Sequence, residues 1–179
     1  MSHNIEKLQR ISGRMKKICS FLMVLFPVAL VLNWSNLEFA IEEMGMLDGL
    51  SFEADFVGAD NLVLGFLIDG ILTVIAVLAL LNLRWFFTYS SDGRAFSSEA
   101  AISLHRFSKY LISYALVMIP VEILLAYVVT KDYGEGERVL QISLSSEELA
   151  LIFLGFVFFA ISWLLKESVL IAEENAQIV

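Results

Sequence analysis

Four apolar stretches separated by polar ones organise the chain: about 18–34, 62–87, 110–130 and 149–165. The second, from Leu62 to Phe87, has Asp69 as its only charged residue before Arg84. A helix rises about 1.5 Å per residue, so roughly 20 apolar residues cross a hydrocarbon layer about 30 Å thick. The pattern therefore predicts an all-α membrane protein with four transmembrane helices in an antiparallel bundle. Residues 1–179 form one four-helix membrane domain in this reading.

Polar segments between the spans carry their own periodicity. Over 5–17, Ile5, Leu8, Ile11, Met15 and Ile18 recur at helical spacing beside a stripe of Lys7, Arg10, Arg14 and Lys17, so an amphipathic helix lying along an anionic bilayer surface is expected. A second amphipathic segment covers 93–109, where Asp92-Gly93 signals a turn and Ser97 or Ser98 can cap the helix that follows. Leu37, Ile41 and Met44 are spaced like one face of a short helix, and Val139, Ile142 and Leu144 sit in a β-prone run suited to a short hairpin. Ser145-x-x-Glu148 has the capping-box pattern that opens a fourth helix. Trp34 falls where an interfacial aromatic anchor would sit.

Composition strengthens the membrane reading: 58% of the 179 residues are hydrophobic, 18% are charged, and the mean hydropathy is +0.75. The net charge of −8 matters less than its distribution. Between Ser35 and Asn61 there are seven acids and no lysine or arginine, whereas five basic residues precede the first span and Arg84, Arg94, Arg106 and Lys109 flank the central connector. By the positive-inside rule both termini and that connector are cytoplasmic. The basic stripe at 5–17 has a sufficient explanation in lipid headgroups and no DNA-reading fold around it, so nucleic acid is set aside as a partner. Cys19 is the only cysteine, which excludes an internal disulfide and a cysteine metal cluster.

Two acids interrupt the apolar spans. Asp69 lies about seven residues from the outer start of the second span and Glu122 about eight from the outer end of the third, so each is expected roughly 10–12 Å deep. Carboxylates at one depth on neighbouring helices resist joint ionisation, which makes Asp69 and Glu122 the candidates for an ion or ligand site. The competing account leaves them protonated or water-bonded in an outward vestibule, assisted by Asn33, Asn61, Tyr114 or Lys131. Gly65, Gly70 and Gly155 are read as allowing close helix packing. His3 and His105 fall on the cytoplasmic side, away from these acids, and neither a phosphate-binding glycine loop nor a nucleophile with a base is recognisable. No catalysis, cofactor or metal is expected.

Two segments on the cytoplasmic side resemble a known family. Gly93-Arg94-Ala95-Phe96-Ser97-Ser98-Glu99, running to Leu104, is similar to the glycine, phenylalanine-serine and helix found between spans two and three of the bacterial membrane family catalogued as domain of unknown function twenty-nine seventy-five. Leu164-Leu165-Lys166-Glu167 through Glu173-Glu174-Asn175 resembles that family's terminal Glu-Asn motif, although the chain then reads Ala176-Gln177-Ile178-Val179 where the family has an acid followed by Leu-Thr-Val. The resemblance implies a four-helix protein of the bacterial inner membrane, in a family whose genes often neighbour a small helix-turn-helix regulator. It marks Gly93, Phe96, Ser97, Glu99, Glu173, Glu174 and Asn175 as partner-facing candidates. The two motifs also resemble each other, and Pro27 and Pro120 occupy matching places, which suggests a parallel repeat of two helical hairpins. The function expected is that of a small accessory or regulatory protein, sensing or binding a protein partner at the cytoplasmic face, alone or as a homo-oligomer. The alternative is a proton- or cation-coupled small transporter using Asp69 and Glu122.

Overall fold

The structure, a computed structural model, describes residues 2–36, 58–131 and 146–177. They form four long helices: α1 (Ser2–Ser35), α2 (Ala59–Ser91), α3 (Ser98–Thr130) and α4 (Ser146–Gln177). All four are long and apolar enough to cross a membrane, and no strand occurs among the described residues. The short helix expected at Leu37–Met44 and the hairpin expected at Val139–Leu144 lie outside the described residues.

Close packing joins each helix to the next in sequence, α1 to α2, α2 to α3 and α3 to α4, giving an antiparallel bundle whose outermost members are α1 and α4. The backbones of α1 and α4 do not approach one another among the described residues. On α3, which packs on both sides, Ala100, Ala101, Ser103, Ser108 and Ala115 are buried. Small side chains allow close approach where apolar surface alone gives no drive to associate in lipid.

Two apolar clusters hold the layers together. Trp34, Leu72, Val121, Leu125 and Val129 form one, with Tyr114 packed against it. Ala79, Leu104 and Phe107 form the other, flanked by Leu83, Phe86 and Phe158. On α4, Glu148, Gly155, Ser162 and Val169 are buried at a strict seven-residue spacing, so a single narrow seam faces α3. Gly155 is required there: a Cβ would overlap the Ile112 side chain and come 3.3 Å from the Ile112 backbone nitrogen.

The backbone joins what the polarity pattern separates. The basic stretch at 5–17 is the beginning of α1, continuous with the apolar part, and Ser98–Lys109 is likewise the beginning of α3. Pro27 and Pro120 lie inside unbroken helices and are exposed. The apolar stripe Ile5, Leu8, Ile11 and Ile18 is exposed, while α1 packs inward through Ser12, Cys19 and Trp34. Gln9 reaches the connector, its Nε2 lying 3.1 Å from where a Cβ on Gly93 would be.

Candidate functional site

Trp34 is buried and donates its indole N–H to Oδ2 of Asp69 at 3.0 Å. The partner is built by α2: Gly65, one turn from Asp69 on the same face, leaves the space that the indole fills, and a Cβ there would overlap the ring. Trp34 is therefore an internal donor to Asp69, where its position suggested an interfacial anchor.

Because Trp34 lies in the last turn of α1, its bond puts Asp69 level with the end of that helix, while α2 continues beyond it to Ala59. Tyr114 of α3 lies within electrostatic reach of both Asp69 and Glu122, so one tyrosine links the neighbourhoods of the two acids. A third acid, which the sequence pattern marks only as a helix cap, is buried on α4. Glu148 is 1% exposed. Gly155 faces Ile112, and stepping seven residues along each antiparallel helix sets Glu148 near the level of Ile119, about one turn from Glu122. Asn61 and Thr130 are also buried near this end of the bundle. Asn61, Glu122 and Glu148 each have an interaction partner. No group of three His, Cys, Asp or Glu side chains suited to a metal occurs among the described residues.

Serine hydroxyls form the polar links at the other end. Ser20 donates to the Lys16 carbonyl at 3.0 Å and accepts from Nε of Arg84 at 2.8 Å, tying α1 to α2. Ser162 donates to the Phe159 carbonyl at 2.7 Å, and its oxygen lies 3.1 Å from Nδ1 of His105. His105 also packs against the Phe159 ring, at 4.7 Å between centroids. Donating to their own helix's carbonyls is how hydroxyls stay satisfied in apolar surroundings.

The connector between α2 and α3 is tightly specified. Gly93 has φ of +79°, its N–H bonds Ser90, and the Arg94 N–H bonds the Tyr89 carbonyl at 2.8 Å, the pattern that ends a helix through a left-handed residue. Arg94 lies over the Tyr89 ring at 5.1 Å. Ser97 is the N-cap of α3, accepting from the Ala100 N–H at 3.2 Å. Glu99, fully exposed, accepts from its own backbone N–H and from Ser97, and both bonds hold its carboxyl below the ordinary carboxylate range. Between these fixed points Phe96 is 77% exposed. Gly93, Phe96, Ser97 and Glu99 thus share one turn, and Glu174 is exposed near the end of α4. The side chains of Glu173 and Asn175 lie outside the described residues.

Four long apolar helices in an antiparallel bundle define an integral membrane protein. The sequence profile of the family described as protein of unknown function (DUF2975) matches residues 18–179, and the chain belongs to that family. Searches of the curated proteins and of the solved structures find no match.

Proposed function

We propose that this is a small accessory protein of the bacterial inner membrane, with both termini cytoplasmic, which binds a regulatory protein partner through the connector between α2 and α3. The observation that carries the reading is Phe96: a large aromatic is left 77% exposed on a turn whose conformation is set on both sides. An exposed aromatic on a preorganised turn loses little entropy on docking and buries much apolar area. The excess of lysine and arginine around this end of the helices supports its cytoplasmic side. The reading assigns the protein no catalytic step.

The test is photo-cross-linking in membranes from a reactive residue at position 96, followed by reciprocal capture with the cross-linked protein. Capture should be lost in Phe96→Asp while membrane insertion and helicity are retained. Equal capture by Phe96→Asp overturns the reading.

A second reading rests on the Asp69, Tyr114 and Glu122 neighbourhood, where a proton- or cation-coupled carrier would hold its ion. Proteoliposomes carrying Asp69→Asn with Glu122→Gln should then lose flux. Unchanged flux removes that reading.

A further inference from the structure

Among the described residues the bundle is open, and its two unpaired edges match. Arg84 with Ser20 and His105 with Ser162 lie at about the same level, because Leu83 and Phe86 of α2 pack with Leu104 and Phe107 of α3 between them. From that level toward the connector end, Arg14 is about six residues along α1 and Glu167 about five along α4, a difference of roughly 1.5 Å. Lys7 and Glu174 match to the same tolerance, and Ile11 is level with Ile171. Toward the opposite end, Phe21 falls level with Ala160. All of these residues are exposed.

On α1 the exposed residues include Lys7, Ile11, Arg14, Ile18 and Phe21, and on α4 they include Ala160, Leu164, Glu167, Ile171 and Glu174, each set stepping by three or four residues and so lying on one face of its helix. A neighbouring helix packs on faces of this spacing. The α4 face lies roughly opposite the buried stripe through Gly155 and Ser162, so a neighbour seated there extends the existing layer.

We propose that these edges are a self-association surface: α1 of one copy packs antiparallel against α4 of a second, with Arg14 facing Glu167, Lys7 facing Glu174 and Ile11 against Ile171. Charge complementarity identifies the occupant as another copy of this chain. An anionic bilayer surface would satisfy the cations alone. It would leave the acids of α4 without a role, and it would need α1 to bend at the membrane, whereas α1 is unbroken and its Gln9 stays beside Gly93. The surface is separate from Phe96 and stands or falls independently of the connector's role.

The test uses the full-length protein in membranes, with Cys19→Ser as background. One tagged copy carries Ile11→Cys and a differently tagged copy carries Ile171→Cys; oxidation should link the two tags, while Ile11→Cys with Phe96→Cys should not. Arg14→Glu should lower the yield about fivefold, and Glu167→Arg in the other copy should restore it. A yield no greater than that of the control pair overturns the proposal. So does a yield that follows the anionic lipid content of the vesicles and ignores Glu167→Arg, which would assign the cations to lipid headgroups.

Discussion

Trp34, Gly65 and Asp69 act as one unit, and substitutions separate their roles. Trp34→Phe keeps most of the ring but removes the N–H, leaving a half-buried carboxyl without that donor; a loss of about 1–3 kcal/mol in reversible unfolding in micelles is expected. Asp69→Asn retains an oxygen acceptor and should cost less. Gly65→Ala forces the indole away and should cost about as much as Trp34→Phe, with a change in tryptophan emission as the independent sign that the ring has moved. A different residue sets a pH dependence. The folded-state carboxyl of Glu99 titrates below its unfolded value, so its contribution to the start of α3 is present above the unfolded pKa and is lost as pH falls through the lowered folded value. Glu99→Gln should flatten that acid limb, followed by amide exchange at the first turn of α3.

At the scale of the helices, glycine separates contact from propensity. A side chain at Gly155 meets Ile112 and its backbone, which cannot turn aside, so Gly155→Val should part α4 from α3 and be read as lost stability and new protease cleavage in α4. A Cβ at Gly13 meets nothing within 4 Å, and Gly13→Ala should stabilise α1 by about 0.5–1 kcal/mol. These elements also show what was readable beforehand. The spans, the Asp92-Gly93 turn, a serine cap at 97 or 98 and the packing role of Gly65 and Gly155 follow from local composition and spacing; the choice of Ser97 comes from the structure. The continuity of α1 does not, because hydropathy reports the solvent around a segment and is silent on whether the backbone bends where lipid gives way to water. Nor does the Trp34–Asp69 bond, which depends on the register between two helices joined by a long segment. Glu148 shows both limits: its capping position is visible in the sequence, whereas its complete burial follows from the α3–α4 register.

For the whole molecule, the antiparallel order puts Lys7, Phe96 and Glu174 at one end and Gly58 at the other. Single cysteines at the first three positions, in the Cys19→Ser background, should react with a membrane-impermeant thiol reagent from one side of a sealed vesicle, and one at Gly58 from the other. Mixed labelling among the first three would contradict the bundle. Unbroken α1 carries Gln9, beside the connector, and Trp34, on Asp69, about 25 residues or roughly 38 Å apart on one backbone. The indole on Asp69 and the glutamine beside Gly93 are thus two ends of one rod, fastened at opposite ends of the molecule to α2 and to the turn that carries Phe96.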